Sequence, residues 1–207
     1  MNYLDVSEYE AYGLDATTPA AWITAASAVI DAHCRRPTLA VTQYEERIRL
    51  LPDTSAARLS YLPLAPDAEG RCILGVRARY GQPRRGEGPD HELAGAVART
   101  FALPGTWIEF DPNSVEVCEA SGEITLPMNV LGLSFGEVEV TYTAGLPTIP
   151  ETVKVACAMV VRNAQATPAL NVRAGSLDRL HLEYFSDSLL DETVRSLLAP
   201  YVAQKVG

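Results

Sequence analysis

The spacing of hydrophobic residues changes twice along this chain, and the two changes divide it into three stretches. Near the N-terminus and after residue 145, hydrophobic residues recur every three or four positions, as on one face of a helix. Between these stretches they alternate with polar residues, as in strands with one buried face. The sequence therefore predicts an α+β fold. In it, a β-rich antiparallel insertion, residues 38–145, interrupts a helical body formed by residues 1–37 and 146–207.

The size and charge of the chain limit what it can do. With 207 residues, 47% of them hydrophobic, it is long enough for one sizeable core, so we expect a single domain spanning residues 1–207. The formal net charge of −9 argues against a protein that grips nucleic acid, because that affinity comes from clustered Lys and Arg. We find no signal peptide and no stretch near the roughly 18 apolar residues of a membrane span, so we expect an unanchored cytoplasmic protein.

The residues that commonly carry out chemistry are scattered. The cysteines stand singly, with no C-x-x-C pair, at Cys34, Cys72, Cys118 and Cys157. We expect buried free thiols there rather than a zinc site or disulfides. The histidines are also isolated, at His33, His91 and His181. No nucleophile, metalloprotease or phosphate-loop motif occurs, so we assign no catalytic, cofactor-binding or metal-binding residue and expect a protein that is not an enzyme.

Helix signals open the chain. Ser7–Glu10 has the spacing of a capping box, and Gly13 is suited to end the short first helix. Thr18 and Pro19 then supply an N-cap and a proline at the first helical position. The second helix should end near Pro37 and bury one stripe of residues. We expect that stripe to consist of Trp22, Ala26, Val29, Ile30 and His33.

Two further helices are expected after residue 145. Pro150 should start the first of them, and Pro168 should end it. Its apolar face consists of Val153, Ala156, Cys157, Val160, Val161 and Ala164. A last helix is expected from about Ser188, and Pro200 should kink or fray it because proline lacks a backbone N–H. Its apolar stripe consists of Leu190, Val194, Leu197, Leu198, Tyr201 and Val202.

Alternation marks the strands of the middle stretch. It is strongest over Cys72–Tyr80 and Val138–Tyr142, which we expect to be half-buried antiparallel strands. Further strands are expected at residues 44–50, 58–62, 97–103, 106–110, 115–118 and 123–126. Turn residues, such as those at 111–114, separate several of these strands. The pattern predicts a small β-region of meander type.

A Gly- and Pro-rich stretch, residues 80–91, opposes regular structure and is expected to be a loop. It lacks the strand-to-helix context and the Lys of a phosphate-binding loop. Arg84 and Arg85 are expected at its solvated tip, where they are candidates for contact with a neighbouring subunit. The Asp90–Glu92 triplet (Asp-His-Glu) is the one polar cluster with acid–base capacity, and a solvated loop explains it as well as catalysis does.

Several short stretches resemble, in order along the chain, the phage head-tail connector (adaptor) proteins, a family that also occurs in prophages and gene transfer agents. They include Tyr142–Gly145 (YTAG), Ile149–Pro150 before an apolar helix, and Leu197–Tyr201 (LLAPY). The front of the chain is similar too, with a short helix, an Ala-rich helix and the strand-like segments YEERIRLLP and RLSYLPLAP. The resemblance covers most of the chain. The chain departs from the simplest members by its long β-rich middle, roughly residues 80–136.

The resemblance implies a structural role in the neck of the virion. Such proteins form a ring, usually of twelve copies, that lies beneath the portal and extends the channel through which DNA leaves. The implied partners are the portal protein, stopper or tail proteins and further copies of the chain, without a cofactor. The acidic charge suits a channel through which DNA slides without specific binding. Gly145 and Pro147 are expected to form a corner at which a strand turns sharply.

The resemblance also implies that the C-terminal segment docks on the portal. From the residues alone, the last helix could equally pack on its own core. Pro200 weakens that helix, and Tyr201 with Val202 offers the aromatic and aliphatic side chains that are typical of interface cores. We therefore expect portal contacts from the whole apolar stripe of Leu190, Val194, Leu197, Leu198, Tyr201 and Val202.

Two other functions stay open at this point. A different neck component, such as a stopper or a tail-completion protein, would have similar neighbours in the virion. An enzyme or regulatory domain would instead use the Asp90–Glu92 triplet. Portal and capsid genes beside this gene would favour the adaptor, whereas metabolic genes would favour the enzyme.

Overall fold

The computed structural model describes residues 1–51, 54–80, 96–97, 100–101, 105–127, 135–166, 174–177, 180–183 and 189–204. The chain divides into two compact units. The helical unit comprises Met1–Leu39 and Thr148–Val202, and the β unit comprises Ala40–Pro147 with Ala203–Gly207. The predicted α+β class is confirmed. The main segment of the β unit runs from residue 40 to residue 147, so both boundaries lie two residues later than those predicted for the β-rich insertion, 38 and 145.

The helical unit contains three α-helices among its described residues. They are α1 (Ala20–His33), α2 (Glu151–Ala166) and α3 (Glu192–Leu198). Short 3-10 turns lie at Val6–Glu8, Glu10–Tyr12 and Ala199–Tyr201, and a two-stranded antiparallel hairpin joins Ala174–Leu177 to Leu180–Glu183. Helix α2 packs against both α1 and α3.

The N-terminal helix expected over residues 7–13 is a pair of 3-10 turns instead. Asp5 precedes the first turn, and its backbone N–H donates to Glu8 Oε2 at 3.2 Å, so the capping residue is Asp5 rather than Ser7. So short a stretch gains too few i→i−4 hydrogen bonds to offset helix nucleation. Gly13 ends the second turn at φ 73°, a left-handed conformation that glycine adopts without strain, as predicted.

Helix α1 buries a face that differs from the predicted one. Ile23, Ala26, Ser27 and Ile30 are buried, whereas Trp22 is 40% exposed. Val29 and His33 are only half-buried. The predicted buried stripe was therefore wrong at three of its five positions, which are Trp22, Val29 and His33. The prediction placed the large Trp22 on the buried face, whereas smaller residues pack against α2. On α2 the prediction is confirmed for Val153, Ala156, Cys157, Val160 and Val161, which are all buried.

The described residues of the β unit form two antiparallel sheets. Their strands are β1 (Thr42–Arg49), β2 (Ala56–Arg58), β3 (Ile73–Tyr80), β4 (Trp107–Phe110), β5 (Glu116–Cys118), β6 (Glu123–Thr125) and β7 (Phe135–Ala144). The four-stranded sheet has the order β1-β7-β3-β4, and the three-stranded sheet has the order β2-β6-β5. The two strands with the strongest alternation in the sequence, β3 and β7, are paired at the centre of the larger sheet.

One hydrophobic core contains the inner faces of both sheets. Ala78, Val138 and Val140 of the larger sheet are fully buried, as is Ile124 of the smaller sheet. Tyrosine rings continue this core: Tyr44 stacks on Tyr61 with a centroid distance of 4.1 Å. The opposite face of the larger sheet carries the charged residues of its strands other than Glu46, as is common for antiparallel sheets with one solvated face.

Two predicted strands are wrong in the residues that the structure describes. Residues 97–103 were expected to be extended, but Ala96, Val97 and Thr100 are helical. The backbone N–H of Phe101 donates to the Val97 carbonyl at 3.1 Å, which is the i→i−4 bond of a helix. The strand predicted at 58–62 is also wrong at four of its five positions, because the observed strand is Ala56–Arg58 and residues 59–62 lie outside it. The other predicted strands are confirmed.

Gly145 follows directly on the last residue of β7. Its φ of 134° is one that residues with side chains rarely adopt, and a Cβ there would lie 2.4 Å from the Ala40 carbonyl oxygen. Its own N–H donates to the Pro63 carbonyl at 2.9 Å. The turn that the sequence predicts at this position therefore depends on the absence of a side chain.

Candidate functional site

The C-terminal segment, defined here as residues 189–202, is the part of the predicted site that the structure describes. Asp191 begins α3, since its Oδ1 accepts the backbone N–H of Val194 at 2.7 Å. That bond is the main reason why the pKa of Asp191 lies below its usual range. The helix therefore begins at Glu192, not near Ser188 as predicted, because the capping side chain sits at position 191.

Asn163 holds the start of this segment against α2. Its side-chain amide donates to Asp191 Oδ2 at 3.1 Å and to the Leu189 carbonyl at 3.2 Å. The two carboxylate oxygens of Asp191 thus accept different hydrogen bonds. Oδ1 caps α3, and Oδ2 connects the start of α3 to α2. The sequence gives a weak signal for Asp191, an N-cap residue before an apolar run, and none for Asn163.

The apolar stripe of the C-terminal segment divides into two sets. Val194 and Leu198 are fully buried, at 0% exposure, and belong to the core of the helical unit. They are therefore not available for contact with a partner in this structure, which is a correction to the predicted contact set. The remaining four residues are half-buried, and for them portal contact stays a prediction. They are Leu190, Leu197, Tyr201 and Val202.

Pro200 lies where the α-helical hydrogen bonding stops. Helix α3 ends at Leu198, and Ala199–Tyr201 continues it as a single 3-10 turn, which confirms the predicted weakening of the helix. Tyr201 does not project freely from this turn. Its hydroxyl shares a hydrogen bond of 2.8 Å with Thr152 Oγ1, at the other end of α2 from Asn163.

Two polar pairs fasten the N-terminal turns to the first turn of α2. Lys154 pairs with Glu8, and this hydrogen-bonded contact raises the pKa of Lys154 and lowers that of Glu8. The Tyr12 hydroxyl donates to the Glu151 carboxylate, which raises the pKa of Tyr12. Helix α2 is thus the element to which both ends of the helical unit are attached.

The described residues were searched for metal ligands, and their cysteines differ in burial. No group of three or more His, Cys, Asp or Glu in the described part of the chain could hold a metal ion. Burial raises the pKa of the Cys34 and Cys157 thiols to about 11, so both are protonated at neutral pH, and their predicted burial is confirmed. Cys118 differs from the prediction because it is exposed, on the β5–β6 hairpin.

The other predicted site residues lie outside the described residues. These are Arg84, Arg85 and the Asp90–Glu92 triplet. In the parts of the chain that the structure does describe, no helix is long and apolar enough to cross a membrane.

The chain was compared with models of known protein families and with curated proteins. No family model matches it, and no curated protein matches it.

Proposed function

We propose that this protein is a structural head-tail adaptor of a phage or gene transfer agent. In this proposal, copies of the chain form a ring, twelve as in the family that the sequence resembles, beneath the portal in the neck of the virion. The ring extends the DNA channel between the capsid and the tail. The protein catalyses no reaction and needs no cofactor.

The observation that carries the proposal is the junction from Tyr142 to Glu151. In the resembled family this stretch is expected to be a strand, a sharp turn and a helix start. Here β7 ends at Ala144, Gly145 makes a turn that no other residue fits without strain, and α2 begins at Glu151 after Pro150. The agreement is local, and it falls on the residues that the resemblance quotes most closely.

The C-terminal segment supports a docking role because some of its apolar side chains are only half-buried. Leu197, Tyr201 and Val202 are half-buried and lie within six residues of one another, while Val194 and Leu198 attach the helix to its own core. A short helix held in this way presents a fixed apolar edge, and fixed aromatic and aliphatic side chains lose little entropy on binding. The partner at this edge is, in our proposal, the portal protein.

The charge of the chain fits the same role. Its formal net charge of −9 includes 26 Asp and Glu against 17 Lys and Arg. A ring of such chains repels the phosphates of DNA, so DNA that passes through the lumen is not retained by counterion release. Stopper or tail proteins would bind the opposite side of the ring.

The docking role is tested with variants of the apolar edge, which consists of the half-buried Leu197, Tyr201 and Val202. Leu197→Asp should weaken binding to the co-expressed portal protein, because it places a charge in the proposed contact. Ser196→Asp, at the exposed neighbouring position, is the matched control and should bind as the wild type does. Deletion of residues 200–207 removes Tyr201 and Val202 and provides a second variant. Thermal unfolding shows which variants stay folded. Folded variants of the edge that bind the portal as well as the wild type would contradict this docking site.

A further inference from the structure

The outer face of the four-stranded sheet carries charged residues in aligned rows across the strands. The strand pairing defines three rows, which we call rows 1, 2 and 3. Each row starts at a residue of β1 and crosses the neighbouring strands. Row 1 consists of Arg49, Glu137, Arg79 and Trp107. Row 2 consists of Arg47, Glu139, Arg77 and Glu109. Row 3 consists of Glu45, Thr141 and Gly75.

The charges on the central strands neutralise one another. Glu137 Oε2 accepts Arg47 Nε at 2.8 Å and lies 2.8 Å from Arg79 Nη2, and these two arginines hold the pKa of Glu137 below its usual range. Arg77 Nε donates to Glu139 Oε1 at 2.6 Å. The inner part of the face is therefore an ion-pair network in which three arginines contact two glutamates.

Trp107 contacts the arginines of this network. The guanidinium carbons of Arg47, Arg77 and Arg79 lie 5.1, 5.2 and 5.3 Å from the centre of its ring. Strands β4 and β1 are three strand spacings apart, about 14 Å, so Trp107 and Arg47 must reach towards each other over the sheet. The half-buried indole thus lies beside the arginines of rows 1 and 2.

The row 3 end of the face is recessed. A groove of about 490 Å³ lies there. Gly75 and Thr141 are among its lining residues, with Glu45 on one side and Glu109 and Pro112 on the other. Because Gly75 has no side chain and Thr141 a small one, the face is recessed at the end opposite Trp107.

The charges without an ion pair also differ between the two ends. Among the described residues, three charged residues of the face are exposed and have no ion-pair partner. One is Glu109, on β4 in row 2, and the other two are Arg49 in row 1 and Glu45 in row 3. Arg49 and Glu45 both belong to β1, four residues apart, which is about 13 Å. Together the three rows hold four Arg and four Glu, so the face is neutral although the chain carries a net charge of −9.

We propose that this face binds the same face of a second copy of the chain. A half-turn about an axis that runs across the strands places row 1 of each copy on row 3 of the other. It also places row 2 of each copy on row 2 of the other, so that the two Glu109 carboxylates face each other and weaken the contact. Arg49 then meets Glu45 of the second copy, and Trp107 enters the groove over Gly75. Each contact occurs twice, as in every two-fold interface. The neutrality of the face lets two acidic chains approach there, because their excess negative charge lies elsewhere.

The area of the face sets the strength of the dimer. Four strands and about eight residues give a plane of about 19 by 27 Å, or roughly 500 Å² per copy. A stable interface of standard size buries about 800 Å² per copy. We therefore expect a weak dimer, with a dissociation constant in the micromolar range or above and with strong dependence on salt. The dimer of the free protein does not depend on the adaptor role.

Sedimentation velocity of the full chain tests the dimer at low salt over a range of concentrations. Arg49→Glu and Glu45→Arg should each weaken dimerisation by roughly tenfold or more, since each substitution creates two like-charge contacts. The double variant, Arg49→Glu with Glu45→Arg, should restore it because the pair is merely exchanged. Arg58→Glu, an exposed arginine on β2 of the other sheet, is the matched control with the same change in net charge and should leave dimerisation unchanged.

Several results would overturn the proposal. The wild type staying monomeric at roughly millimolar concentration would do so, as would an assembly larger than a dimer. So would equal weakening by Arg58→Glu, or a folded double variant that stays monomeric. Circular dichroism of each variant shows whether it is folded. The double variant has the same amino-acid composition and net charge as the wild type, because its two substitutions only exchange an Arg and a Glu.

Discussion

Tyr3 and Asp31 are joined by a hydrogen bond from the Tyr3 hydroxyl to the Asp31 carboxylate. The same hydroxyl oxygen accepts the backbone N–H of Leu39 at 2.8 Å, so one side chain connects the N-terminal residues, α1 and the segment after α1. Burial raises the pKa of Asp31 above its usual range, although the bond from Tyr3 opposes this shift. The ionised carboxylate is therefore disfavoured by folding.

This relationship predicts how stability depends on pH. A carboxyl group whose pKa is raised on folding stabilises the protein fully below its unfolded pKa of about 3.9, and this contribution is lost as the pH rises through the folded pKa. Asp31→Asn keeps an acceptor for Tyr3 but does not titrate. We expect the variant to gain stability relative to the wild type as the pH rises through that window. Urea unfolding from about pH 4 to pH 7 measures the difference, and a difference independent of pH would contradict the prediction.

Gly145→Ala should destabilise the protein by about 2 kcal/mol or more, because it combines a strained φ with a Cβ placed 2.4 Å from the Ala40 carbonyl oxygen. Gly105→Ala is the matched control, since Gly105 has a φ of 84° but no atom within 4 Å of the added Cβ. The control therefore reports the backbone strain alone. Denaturant unfolding of both variants separates the two effects, and equal losses would show that the close approach to Ala40 does not matter.

Asp191→Ala should lower stability by about 1 kcal/mol, the usual cost of losing an N-cap, and should also release the contact with Asn163. Asn163→Ala removes only that second contact. Glu192→Ala, at the next and exposed position, is the control and should change stability by less than about 0.5 kcal/mol. Because the pKa of Asp191 is lowered by folding, its contribution should disappear as the pH falls through that folded pKa. If Asp191→Ala proved as mild as the control, the cap would not hold α3.

The four cysteines should differ in their reaction with a thiol reagent. Cys118 is exposed, and hydrogen bonding with Ser121 lowers its pKa, so it should react first. Cys34 and Cys157 are buried with pKa values raised to about 11, so they should react only on unfolding. Mass spectrometry of the labelled peptides over time measures the order. Labelling of Cys157 in the folded protein as fast as that of Cys118 would contradict the packing of α1 on α2.

Much of the fold follows from the sequence because single strands and helices carry their own signal. Val76 and Ala78 in β3, like Val138 and Val140 in β7, alternate with charged or polar residues, and this local pattern predicts both strands. It does not predict which strands pair. The contact between Arg77 and Glu139 joins residues far apart in the sequence, and only the register of β3 on β7 brings them together.

The candidate site is harder to predict for a physical reason. A stripe that packs on its own core and a stripe that binds a partner need the same apolar side chains. The sequence therefore does not separate Val194 and Leu198, which are buried, from Leu197 and Tyr201, which stay half-exposed. The face of α1 was missed for a related reason, since a large side chain such as Trp22 dominates the hydrophobic pattern although packing selects Ala26 and Ser27.

Electron microscopy of the portal protein co-expressed with this chain tests the adaptor role most directly. The account predicts portal rings that carry an additional collar, built from a fixed number of copies of this chain and continuous with the central channel. Portal rings that stay bare when this chain is present in saturating excess would contradict it.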